Sequence, residues 1–143
     1  MFKTCFREVI FLEDWKIKIS VLWLSYVMAL SAYMTVGILM PGVLADIVNE
    51  GVMSGMEITP EVLLLMAVLL LVPLVMAFVA LVLKDSMNRW LNIIVGAVFF
   101  VLELLELSDL AANPSAALGL IWVWKTVVPL LIVWYAWKSK QKA

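Results

Sequence analysis

The 143-residue chain has no histidine and one cysteine, Cys5. Those two shortages exclude a disulfide framework, a Cys/His metal centre and histidine-based acid–base catalysis. No metal and no cofactor are expected, and no nucleophile–base pair marks the chain as an enzyme. Charge is scarce too. Only 15% of residues are charged while 66% are apolar, where a soluble domain has about a quarter and about half. Net charge is −1, which leaves no footprint for nucleic acid. The plentiful feature is long apolar stretches, so the lipid bilayer is the expected partner.

A transmembrane helix needs about 20 mostly apolar residues. Four stretches qualify: residues 19–40, 60–83, 90–112 and 115–137. Thr59-Pro60 and Asn113-Pro114 each set a capping residue before a proline at the first helical position. Residues 84–89 read as a short polar turn, and 41–59 as the one long loop. The expected fold is all-α: a single domain over 1–143, an integral-membrane, antiparallel four-helix bundle. Four spans enclose little volume, so a transport role would call for a homodimer.

Basic residues fix the expected direction, because cytoplasmic segments retain positive charge. Lys3, Arg7, Lys16 and Lys18 precede the first span. Lys84 and Arg89 lie between spans two and three, and Lys138, Lys140 and Lys142 follow the fourth. The 41–59 loop has none; it carries Asp46, Glu50 and Glu57. Both termini are therefore expected in the cytoplasm, in a multi-pass protein of the cell inner (plasma) membrane. Trp15, Trp23, Trp90, Trp134, Tyr135 and Trp137 crowd the basic side and suit an aromatic belt.

Ala29-Leu30-Ser31 has the small-x-small form of a signal cleavage site. The apolar run continues to Met40, long enough to span, so the first span reads as an uncleaved helix. Before it, Phe2, Phe6, Val9 and Ile10 follow helical spacing and suit a short amphipathic helix on the cytoplasmic surface, with Cys5 a plain thiol. In the loop, Val43, Leu44, Ile47 and Val48 line one helical face opposite Asp46, Asn49 and Glu50, and Gly51 ends the turn.

Charge inside the spans is the functional clue. A lone charge at the bilayer centre costs roughly 2.5–3.5 kcal/mol on insertion scales, yet Glu103 and Glu106 lie in span three and Lys125 in span four. At 100° per residue, Asn92, Gly96, Phe99, Glu103, Glu106 and Leu110 form one stripe. Leu118, Ile121, Lys125, Pro129, Ile132 and Ala136 form its counterpart. Counted from the 113–114 turn, Glu103 and Lys125 both lie roughly 15 Å deep. Two acids and one base do not balance, so the expected resting state shares one proton between Glu103 and Glu106 beside a charged Lys125. Such a set suits a proton relay or a cation-coupled site. It also suits a plain ion pair joining two helices of a scaffold or accessory subunit. Pro129 frees the carbonyl of Lys125, with Thr126, a water or an ion as its expected partner. Tyr26, Tyr33 and Gly37 share a face of span one and complete a candidate pocket with Pro129.

The segments Leu12-Glu13-Asp14-Trp15-Lys16-Ile17-Lys18, Met56-Glu57-Ile58-Thr59-Pro60, Pro73-Leu74-Val75-Met76-Ala77-Phe78 and Leu83-Lys84-Asp85-Ser86-Met87-Asn88-Arg89-Trp90-Leu91-Asn92 resemble a family of small four-span prokaryotic membrane proteins of unknown function. The resemblance spans nearly the whole chain and implies only the four-helix fold and a membrane location. Small multidrug transporters also have four spans and a buried glutamate, but theirs is in the first helix, and span one here has no acidic residue. Small fluoride channels do not fit, since no matching glycine–arginine motif is present.

Overall fold

The computed structural model describes residues 14–53, 55–112 and 114–139, and these are almost all helical. The elements are α1 (Asp14–Ile38), α2 (Val43–Glu50), β1 (Val52–Met53), β2 (Met56–Glu57), α3 (Pro60–Val82), α4 (Asp85–Ala112) and α5 (Ala116–Lys138). The helices α1, α3, α4 and α5 are each long and apolar enough to cross a membrane. Their outward faces carry exposed leucine, valine and phenylalanine, such as Leu64, Leu71, Val75 and Phe78 on α3. That surface matches hydrocarbon, and the chain is a membrane protein. The surface helix expected over residues 2–10, and Cys5 with it, lie outside the described residues.

Local chemistry explains most helix ends. Thr59 caps α3, its Oγ1 accepting from the Val62 N–H, with Pro60 at the first helical position. At α5 the expected cap is wrong. Ser115 caps the helix, accepting from the Leu118 N–H, and Pro114 lies before the first turn. A proline pushes its predecessor to extended backbone, and the next hydroxyl is better placed to cap. The expected polar turn over 84–89 is mostly helix, since α4 begins at Asp85. Asp85 in the first turn suits the positive end of the helix dipole. Likewise α1 is already helical at Asp14, ahead of the apolar stretch. In the loop, α2 forms as the spacing predicts and ends at Gly51 in the left-handed conformation, φ 66°. The return from Gly51 toward Thr59 is expected from sequence, but its pairing is not: β1 and β2 form a small hairpin, Val52 opposite Glu57 and Met53 opposite Met56.

The first turns of α1 lie against the α3–α4 junction. Lys16 donates to the Leu83 carbonyl at 3.3 Å and pairs with Asp85. Nearby, the Lys18 ammonium stands 5.8 Å from the Tyr135 ring centroid on α5. Helix α1 packs on α3 and α5, and α4 packs on α5, whereas α3 and α4 approach each other far less. The centre between α1 and α4 is filled by rings. Trp23, Tyr26 and Phe99 meet edge to face, with centroids 5.4 to 6.2 Å apart, the arrangement favoured by the aromatic quadrupole. Trp23 is fully buried, so it does not belong to the expected belt; its N–H is satisfied inside.

Burial is uneven along the bundle. α3 has buried residues only from Pro73 onward, α4 only up to Glu103 and α1 only up to Leu30. The half near the α3–α4 junction is tightly packed, and the half nearer α2 and the hairpin is looser. Gly96 sits in the tight half, where a Cβ would come within 2.9 Å of Val133 Cγ2 and 3.4 Å of the Pro129 carbonyl oxygen.

Candidate functional site

The inward stripes of α4 and α5 meet where tight packing gives way to loose. Glu103 and Glu106, one turn apart, share the inward face of α4, and Lys125 faces them from α5. The Lys125 Nζ donates to Glu106 Oε2 at 2.7 Å and lies 3.2 Å from Glu103 Oε2. It also stands 4.1 Å from the centroid of the Tyr33 ring. Side-chain exposure is 1% for Lys125, 3% for Glu103 and 33% for Glu106. One ammonium therefore joins a sealed carboxylate to a partly open one.

Glu103 is the inner anchor. Its Oε1 accepts from the Tyr26 hydroxyl. Its backbone carbonyl accepts from Trp122 Nε1 at 3.0 Å. Its Oε2 approaches Lys125 off the hydrogen-bonding direction, and among the described residues it is the one buried side-chain polar atom without a hydrogen bond. In a low-dielectric interior each of these charges is felt strongly by the others. A proton gained or lost at Glu106 alters the field at Lys125 and through it at Glu103. Among the described residues no three acidic or thiol groups converge as metal ligands. The chemistry on offer is that of carboxylates, an ammonium and two phenols.

Five residues singled out from sequence thus come together: Glu103, Glu106, Lys125, Tyr26 and Tyr33. Two others do not. Pro129 is buried one turn further along α5, against α4 at Gly96, and packs a helix crossing instead of lining a pocket. Thr126 does not serve the carbonyl that Pro129 frees, for its hydroxyl donates to the Trp122 carbonyl at 2.9 Å. Asn92 shares the α4 stripe but lies eleven residues from Glu103, about 16 Å along the helix.

Asn92 belongs to a second network. Its Oδ1 accepts from Trp23 Nε1 at 2.7 Å. Its Nδ2 donates to the Asn88 carbonyl at 2.8 Å and to Asn88 Oδ1 at 2.6 Å. Asn88 Nδ2 in turn donates to the Ala80 carbonyl at 2.6 Å. That carbonyl lies in the last turn of α3, where helix acceptors have no backbone partner. The chain of amides is a helix cap and a tie between α1, α3 and α4. Its sequence signal was the Asn88–Asn92 spacing, one turn apart on a single face. Trp122 gave no such signal, because an indole N–H seeking a backbone carbonyl on another helix leaves no pattern. Set against known proteins, the chain matches no family model, no curated protein and no solved structure.

Proposed function

We propose that this is a small proton- or cation-linked transporter or sensor of the plasma membrane, working through Glu103, Glu106 and Lys125. In this reading the helices form an antiparallel bundle with both termini in the cytoplasm, and a homodimer is the transporting unit. One observation carries it: a fully buried lysine held between a partly open carboxylate and a sealed one, one oxygen of which pairs with the ammonium without a hydrogen bond. Structure alone asks for a balanced pair. The extra acid supplies a group that takes up and releases a proton or a cation, with Glu106 as the open face and Glu103 as the inner store.

The test is flux of protons or monovalent cations in liposomes, measured for the wild type and for Glu103→Gln and Glu106→Gln, with thermal stability in detergent as the folding control. The expected result is wild-type flux that Glu103→Gln abolishes in a folded protein. A second reading has its own support. The cluster ties α1, α4 and α5 through Tyr26, Glu103 and Lys125, as a scaffold or accessory subunit would need. Absence of wild-type flux, with unfolding of the variants, would establish that structural role instead.

A further inference from the structure

The cluster is a cage that already holds a cation, and the cation belongs to the chain. The Lys125 ammonium meets Glu106 at 2.7 Å, Glu103 at 3.2 Å and the face of Tyr33 at 4.1 Å. We infer that this cage binds a free primary organic ammonium ion, and that Lys125 occupies it as a tethered competitor. The inference rests on the ion-handling reading above and names its ligand class.

Three observations select that class. An aromatic face attracts a desolvated ammonium, whereas Ca2+ and Mg2+ ask for six or more oxygen ligands or a retained water shell. Two carboxylates and a ring match the three donors of an R–NH3+ group. Next, Glu103 Oε2 is buried, lies beside the ammonium and has no hydrogen bond, so the cage retains an acceptor that a better-aimed N–H would fill. Last, the cage has an approach. Glu106 is one-third exposed, packing loosens beyond this level, and Gly37, one turn past Tyr33 on α1, has nothing within 4 Å of where a Cβ would stand. On the opposite side the Trp23, Tyr26 and Phe99 rings close the way.

Charge sets the stoichiometry. Lys125 already fills the cage at 1% exposure, and a charged side chain displaced from it into the apolar interior would be costly. The incoming ammonium is therefore exchanged for a proton. One N–H bond of Lys125 breaks, the electron pair stays on nitrogen, the proton leaves to solvent, and the neutral side chain yields the cage. The groups facing Lys125 are Glu103 and Glu106 from α4 and Tyr26 and Tyr33 from α1, while α3 carries only Glu61, exposed in its first turn.

The experiment uses the full chain in lipid nanodiscs, titrated with propylammonium chloride or sodium chloride at equal ionic strength. Thermal unfolding is followed by tryptophan fluorescence, and proton release by a pH dye in weak buffer. Propylammonium should raise the melting temperature of the wild type and release one proton per amine bound; sodium should do neither. In Lys125→Ala, propylammonium should restore the lost melting temperature without releasing a proton. If that variant does not fold, Tyr33→Leu decides alongside the wild type: propylammonium binding should weaken roughly fivefold. Sodium matching propylammonium, or propylammonium without effect on the wild type, overturns the inference. Glutamate-dependent proton or sodium flux with no response to amine would sink the amine class and leave the ion-handling reading standing. Amine binding with proton release but no flux in liposomes supports the ligand site and removes the transport half of that reading.

Discussion

At the scale of single residues, the argument turns on what a buried charge needs. Lys125 is sealed, and two acids share it. Removing one member of a buried ion pair costs about 3–5 kcal/mol, because the partner stays buried without compensation. Lys125→Met should therefore destabilise strongly, leaving two carboxylates facing each other. Adding Glu103→Gln to Lys125→Met should recover a substantial part of the lost melting temperature, since the double variant leaves only the one-third-exposed Glu106 charged. Melting curves of the singles and the double form a thermodynamic cycle, and a double variant no more stable than Lys125→Met would show that the charges are uncoupled. The amide network makes a contrasting case, because it is neutral and every member is paired. Asn92→Leu orphans the Trp23 N–H and an Asn88 acceptor, each costing about 1–3 kcal/mol when buried. It should lower the melting temperature while leaving flux per folded molecule unchanged.

At the scale of helices, legibility followed periodicity. The stripes Asn92–Gly96–Phe99–Glu103–Glu106–Leu110 and Leu118–Ile121–Lys125–Pro129–Ile132–Ala136 were readable because a charge that cannot face lipid must face a neighbour; nine of the twelve residues are buried, and Glu106, Leu110 and Ile121, in the looser half, are partly exposed. Helix ends were less readable. Apolarity marks where lipid begins, not where hydrogen bonding begins, so α1 and α4 both start before their apolar stretches. Links between distant helices, such as Trp23 to Asn92 and Trp122 to the Glu103 carbonyl, depend on how helices turn against each other, which spacing within one helix does not encode. The same crossing geometry separates the glycines. A side chain at Gly96 collides with Val133, a stiff β-branched neighbour, but one at Gly37 meets nothing. Overpacking costs typically 1–3 kcal/mol, while alanine is about 1 kcal/mol better than glycine in a helix. Gly96→Val should lower the melting temperature and Gly37→Ala should hold or raise it; equal effects would mean that α4 and α5 do not cross at Gly96.

At the scale of the whole molecule, packing and charge are polarised along one axis. The tightly packed end holds Lys16 against Asp85 and Leu83, with Lys84, Arg89 and Lys138 nearby in sequence to the same helix ends. The other end holds α2 and the hairpin, whose charged residues Asp46, Glu50 and Glu57 are all acidic. Lysine and arginine resist translocation and acidic residues contribute little, so the proposed orientation puts the basic end in the cytoplasm and the loose end outside. In the proposed function, this orientation would have the one-third-exposed Glu106 draw its proton or cation from outside, with the ring cluster of Trp23, Tyr26 and Phe99 on the cytoplasmic side. Single cysteines in a Cys5→Ser background test it. In intact cells a membrane-impermeant maleimide should label Glu50→Cys, and should reach Ser139→Cys only after permeabilisation. The reverse pattern would turn the molecule over and make the cytoplasm the source of whatever Glu106 binds.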